Sequence, residues 1–379
     1  MKLRKQAHLV SLIILSLGLV SCGSADPEDG TDASGSFTDS STAIDLSTSG
    51  DGVLSDSLSP PNDSSTGPTT PAAEIDPNCL DGKYTENLAN PNADISAELA
   101  SYSSSNYLDF IKAVLAKRYP VGGYLLEKGL QSDAFGGKNC VDAFLGQKGT
   151  GSQVLGQMST LVHECGHFAD IDSGGFSGAG YLITDTLSFT CQDGANTESF
   201  GKTFSRSIIN EDAYSAQHPP CPEGSFSGDC DSYANIYLDG DPHDGNNYQN
   251  GTWQGGDQGF DMLFEETVQY VNSLATGYAF QDQIQWAVSE RDGILTFLWY
   301  VERYLKMARE QYPAAYTHIS QTPCWREGIL QVWGRAWLYL KATEGNGKLG
   351  LSDAKIIGLV RTPELLDEIQ RLREIQGCQ

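Results

Sequence analysis

The sequence predicts an α+β fold, and three observations carry that prediction. Apolar residues 158, 161, 162, 165, 168 and 169 share one helical stripe. Residues 180–191 alternate and are rich in β-branched side chains, as a strand or hairpin requires. From residue 284 onward the spacing turns helical, near 284–310, 325–343 and 363–376, with many Trp, Tyr and Leu that read as core.

The N-terminus reads as an address. Lys2, Arg4 and Lys5 precede an apolar run from Leu9 to Val20 that is too short to span a membrane stably. Leu19-Val20-Ser21-Cys22 resembles the bacterial lipobox, which implies cleavage after residue 21 and lipidation of Cys22. Gly23 stands where an Asp often signals inner-membrane retention, so the resemblance points to a lipid-anchored protein of the cell envelope, at the outer membrane. No later stretch approaches the roughly 18 consecutive apolar residues that a second crossing requires.

Residues 22–78 form a tether. They are rich in Ser, Thr, Asp, Gly and Pro, with apolar residues at no regular period, and cannot offset their ordering entropy by burial. Eleven of the acids lie between 23 and 78, where Lys and Arg are absent; the formal charge of the 379-residue chain is −25, so residues 79–379 are also strongly acidic. This argues against nucleic acid as a partner, and against anionic lipid beyond the N-terminal anchor, because both would be repelled. Residues 79–379 can bury a sizeable core and are expected to form one domain with two lobes.

With Cys22 set aside, Cys79, Cys140, Cys165, Cys191, Cys221, Cys230, Cys324 and Cys378 remain, an even number that suggests disulfides in an exported chain. Cys221 and Cys230 bracket a short Pro/Gly-rich loop and are the easiest pair to close. No CxxC occurs, so a thiolate zinc site has little support. Upstream, residues 96–118 look helical.

The helix beginning at Met158 carries the chemistry: Met-Ser-Thr-Leu-Val-His-Glu-Cys-Gly-His-Phe-Ala-Asp. His163 and His167 are one turn apart and project side by side, where two imidazoles can grip one metal ion. Glu164 sits one residue round, placed to act as general base on a water at that metal. Cys165 belongs to the apolar stripe and reads as packed or disulfide-bonded. Asp170 continues the histidine face, either as a hydrogen-bonding brace for a ligand or as an ordinary helix-end aspartate.

These residues resemble the HExxH signature of the zincin metallopeptidases, with uncharged neighbours Leu161, Val162, Cys165, Gly166, Phe168 and Ala169. The resemblance implies zinc as cofactor, a small sheet over the HExxH helix and a helical C-terminal lobe behind it. A catalytic zinc takes three protein ligands. The metzincin pattern would need Gly at 170 and His at 173, where the chain has Asp170 and Ser173.

The gluzincin pattern takes a Glu from a second helix, for which residues 261–275 are the candidate, with Phe264, Val268, Val271 and Ala275 as apolar stripe. Glu265, followed by Val268, Gln269 and Val271, fits the pattern best and is the expected ligand; Glu266 is held in reserve, and Gln269 is expected to brace the site. The gap from His167 to Glu265 exceeds what is usual in that group, so a large insertion must be accommodated. His218, His243 and His318 are competing nitrogen ligands. Asp239–Asn247 suggests a calcium loop, but Asp244 and Asn250 stand where an EF-hand needs Gly and Glu.

The function expected from the resemblance is zinc-dependent hydrolysis of a protein or peptide substrate outside the cytoplasm. Zinc-bound water would be the nucleophile and Glu164 the base; no motif identifies an oxyanion-stabilising residue. The alternatives are a non-catalytic binding lipoprotein on the same scaffold and a metal-dependent hydrolase of a cell-wall amide.

Overall fold

Short helices lead into the HExxH segment: α1 (Leu80–Lys83), α2 (Ser96–Ala100), α3 (Tyr107–Arg118), α4 (Pro120–Gln131), α5 (Cys140–Phe144) and α6 (Gly151–Leu155). The computed structural model describes residues 72–132, 139–174, 178–192 and 259–378. The signal, Cys22 and most of the tether lie outside the described residues, as do Cys221, Cys230, His218, His243 and the Asp239–Asn247 loop.

Local chemistry sets these boundaries. The helix expected over 96–118 is two helices, broken at Ser103-Ser104-Ser105, where Asn106 turns its side chain back onto the amide of Ser103. Helix α4 was not expected, since Gly122 and Gly123 weaken it. Pro120 at its first turn starts it, and its packing sustains it. Asn139 caps α5, and Thr150 with Gln153 forms a capping box on α6.

Helix α7 (Met158–Gly174) carries the histidine pair. Its apolar stripe packs on α4 and α5, and α4 comes so close that a Cβ on Gly129 would stand 2.3 Å from the carbonyl oxygen of Cys165. Cys165 is disulfide-bonded to Cys140, so the stripe is also stapled to α5.

The expected sheet is present in small form. Strands β1 (Gly178–Leu182) and β2 (Ser188–Gln192) form one antiparallel hairpin with Gly180 opposite Thr190, packed against α7, and no further strand is found among the described residues. The architecture there is mostly helical, with much less sheet than an α+β reading implies. Few segments alternate; most apolar residues fall at helical spacing.

Helix α8 (Gly259–Ala279) extends the expected 261–275 segment at both ends. It is enclosed by α7, β1, α9 (Glu290–Gln311) and α11 (Pro323–Ala342), so that residues 263–277 are all buried. α10 (Pro313–Gln321), α12 (Asp353–Val360) and α13 (Pro363–Gln376) pack around α9 and complete the C-terminal helical part. The stretch expected from 284 becomes helical only at Glu290. The aromatics are core: Trp299, Trp325, Trp333 and Trp337 are buried, and Trp325 meets Tyr181, Phe260 and Phe264 edge-on.

Two further disulfides tie distant segments. Cys191 joins β2 to Cys324 on α11. At the end of α13, Gly377 takes a left-handed φ of 86°, and the amide of Cys378 bonds to the carbonyl of Arg373; this turn delivers Cys378 to Cys79. Chain expected to belong to the tether is held here as well. The carbonyls of Ala73 and Glu74 accept from Arg373, and Glu74 also accepts from Trp333. The three disulfides among the described residues suit an oxidising compartment outside the cytoplasm. Among the described residues no helix is long and apolar enough to cross a membrane.

Candidate metal centre

Helices α7 and α8 run antiparallel with their polar faces together. On α7, His163, Glu164, His167 and Asp170 are all buried, so this helix is covered on both sides rather than along the apolar stripe alone. On α8, Glu265, Gln269 and Ser273 recur every four residues and form a polar stripe in a buried helix, with Glu266, Asn272 and Thr276 flanking it. Close approach is possible because position 166, between the two histidines, is glycine: a Cβ there would lie 1.9 Å from Oε1 of Gln269.

Each imidazole is held at Nδ1. His163 Nδ1 lies 2.9 Å from Ser273 Oγ, and His167 Nδ1 lies 2.5 Å from Glu265 Oε2. Each therefore turns Nε2 toward a common point, where Glu266 Oε2 stands 3.6 Å from His163 Nε2 and 3.7 Å from His167 Nε2. The ring centroids are 4.6 Å apart, and the ring of Tyr270 packs edge-on against His163 at 4.8 Å. His163, His167 and Glu266 offer one ligand atom each, all within 4.8 Å of one another. Ligands about 2.0–2.1 Å from a tetrahedral ion stand roughly 3.4 Å apart, so two of these separations are near the required size.

The sequence placed the third ligand at Glu265. The structure instead groups Glu266 with the histidines and sets Glu265 on the other nitrogen of His167, where a carboxylate fixes the orientation of the ring. Asp170, expected as such a brace, bonds to neither histidine. It accepts from the Leu182 amide at 2.6 Å and from Gln269 Nε2 at 2.7 Å, tying β1 and α8 to α7. Gln269 Nε2 also faces Glu265 Oε1 at 3.4 Å. Ser273 is a partner that sequence reading missed, although its place on the 265–269–273 stripe was the available signal. His318 lies on α10 and is not part of the group.

The electrostatics fit a cation. Nε2 of His167 and Oε2 of Glu164 are buried and make no hydrogen bond among the described residues. Burial, reinforced by Glu266 and Glu265, pushes the Glu164 carboxyl up to about 8. Burial also opposes a charge on His167, yet Glu265 and Glu266 outweigh it and raise that imidazole to about 10. Burial and the charge of Glu265 likewise push Asp170 well above the usual carboxylate range. No described arginine or lysine bonds to Glu164, Glu265 or Asp170. Two imidazoles with a carboxylate are the donor set of a catalytic zinc, and a dication answers this excess of acid. The chain matches no protein-family model, no curated protein and no solved structure.

Proposed function

We propose that the protein is a zinc-dependent hydrolase that cuts peptide bonds outside the cytoplasm, with His163, His167 and Glu266 as protein ligands and Glu164 as general base. The observation that carries this reading is the buried convergence of His163 Nε2, His167 Nε2 and Glu266 Oε2, with Glu164 beside it on the same helix. Zinc, when bound, supplies a Lewis acid that lowers the pKa of a water and polarises the scissile carbonyl.

The chain's own groups do the rest. Ser273 and Glu265 hold the two imidazoles at Nδ1, fixing the ring orientations before metal or substrate arrives. Glu164 takes a proton at its carboxylate and returns it to the leaving amine, a role its buried place on the same helix, one residue from His163, allows. Such a residue serves the reaction rather than the metal, which favours an enzyme over a binding scaffold. In this reading the substrate is a protein or peptide, and a lipid on Cys22 holds the enzyme at the outer membrane.

The test is zinc stoichiometry together with turnover on protein and peptidoglycan panels. Wild type should hold one zinc and cleave protein substrate, and Glu164→Gln should keep the zinc and lose turnover. Normal activity in that variant would sink the assignment. Cleavage of peptidoglycan alone would move the enzyme to cell-wall amides, and zinc without any turnover would make the protein a binding scaffold.

A further inference from the structure

Gln269 reaches the metal centre with one end of its amide and the interior of the fold with the other. Its Nε2 donates to Asp170 and faces Glu265. Its Oε1 accepts from Asn272 Nδ2 at 2.9 Å, and Asn272 Oδ1 accepts in turn from Arg335 Nη1 at 2.7 Å. All three side chains are buried, at 0%, 0% and 1% exposure, so water does not substitute for any link.

An amide presents a donor at one end and an acceptor at the other, and in a closed chain each amide must follow its neighbour. The guanidinium, which has no acceptor, fixes the direction at one end, and the Asp170 carboxylate, which takes the Gln269 donor, asks for the same direction at the other. Tyr119 reinforces it: its hydroxyl accepts from Arg335 Nη2 at 2.6 Å and donates to Asn272 Oδ1 at 3.5 Å. Arg335 is itself held by Glu86, whose Oε2 accepts from Nε at 2.7 Å and whose Oε1 accepts from the Tyr339 hydroxyl. Burial works against both charges, but each ion keeps the other charged: Arg335 lies above its ordinary range and Glu86 below its own. Were the amides reversed, Gln269 would turn an oxygen toward the carboxylates of Asp170 and Glu265, and Glu265 would lose the donor that backs it against His167.

We infer that Arg335 is a positioning residue for the metal centre, acting through the Asn272 and Gln269 amides to orient Glu265 and thereby His167. This rests on the metal reading given above and adds to it a control point on α11, a different helix from those that carry the ligands.

The experiment measures zinc affinity of the full chain by competition with a chromophoric chelator, with circular dichroism checking the fold. Asn272→Asp is close to isosteric and keeps the acceptor for Arg335, but it sets an oxygen against Gln269 Oε1, so that the Gln269 amide is pushed to turn or to shift away from Asp170 and Glu265. Zinc affinity should fall about 10–100-fold, the usual effect of losing a group that supports a ligand. The added negative charge alone would strengthen cation binding, so the expected loss opposes simple electrostatics. Arg335→Met should act in the same direction, and if it fails to fold Asn272→Asp decides the matter alone. In a Glu265→Gln background Asn272→Asp should cost nothing further, because both changes break the same support. A folded Asn272→Asp protein with wild-type or tighter affinity, or a loss that adds to that of Glu265→Gln, overturns the relay and leaves the metal reading standing. A wild-type chain that takes no zinc overturns the metal reading and the relay with it.

Discussion

Beneath α11 each buried acid has a guanidinium: Glu86 meets Arg335 at 2.7 Å and Asp81 meets Arg373 at 2.8 Å. Between α7 and α8, by contrast, Glu164, Glu265, Glu266 and Asp170 are buried beside two imidazoles, and the bonds of Glu164, Glu265 and Asp170 reach no described arginine or lysine. Both regions place acids in a low-dielectric interior, where an uncompensated charge costs several kcal/mol. The first closes its balance within the chain. The second has no guanidinium or ammonium on those three acids, and a metal ion bound as proposed would supply the missing cation, so that its binding would contribute to folding free energy.

The largest expected effect follows directly. Zinc at a thousandfold excess over its Kd should stabilise the wild-type chain by about 4 kcal/mol, and chelation should remove that gain. His163→Ala should make the unfolding midpoint indifferent to both, as denaturant titrations with and without zinc would read. A wild-type midpoint that ignores zinc would mean that the α7–α8 acids are balanced in some other way, and the contrast between the regions would collapse.

The self-balanced region should respond in the opposite sense. Arg373 is fully buried, and Arg373→Met strands Asp81 without its cation while releasing the carbonyl of Ala73 and leaving that of Glu74 to Trp333. We expect a loss of about 3 kcal/mol in unfolding free energy, with zinc affinity unchanged. A weakened zinc site in a folded Arg373→Met protein would show that the two regions are coupled after all.

The α7–α8 contrast was half legible in the sequence. His163, Glu164 and His167 stand out because i, i+4 spacing on a helix with an apolar back permits little else, and the second acidic helix is marked by its own stripe. The choice between Glu265 and Glu266 was not legible. A one-residue step turns a side chain about 100° round a helix, and which glutamate faces the histidines depends on how α8 seats on α7. That seating is set by tertiary features such as Gly166 against Gln269 and Asp170 bonded to both Leu182 and Gln269. Helix α4 stayed hidden for a related reason: its glycines oppose helix formation locally but admit close packing, Gly129 on Cys165 and Gly122 on the Tyr119 ring. The pairing of Cys79 with Cys378, 299 residues apart, likewise depends on where the fold brings the chain ends.

Glu302 on α9 sharpens the comparison from a third side, because it is fully buried with neither a guanidinium nor a histidine on its carboxyl. Both of its oxygens lack a hydrogen-bond partner among the described residues. Burial, with the charge of nearby Glu368, pushes its pKa well above the usual range, which favours the protonated, neutral form in the folded chain. Glu368 is in a different position, since Arg309 clasps it at 2.7 Å. A carboxyl raised in the folded state contributes stability that is complete below the unfolded value, about 4.3 for glutamate, and that is lost as pH rises toward the folded value. Glu302→Gln carries the same shape without the proton. Its unfolding free energy should match wild type near pH 4, then exceed it by an amount growing at most about 1.4 kcal/mol per pH unit above that. Urea titrations of both proteins from pH 4 to 7 would read the slope. Parallel curves would mean that Glu302 ionises in place, and that this interior tolerates a lone carboxylate without a cation, which would in turn weaken the argument that the α7–α8 acids require one.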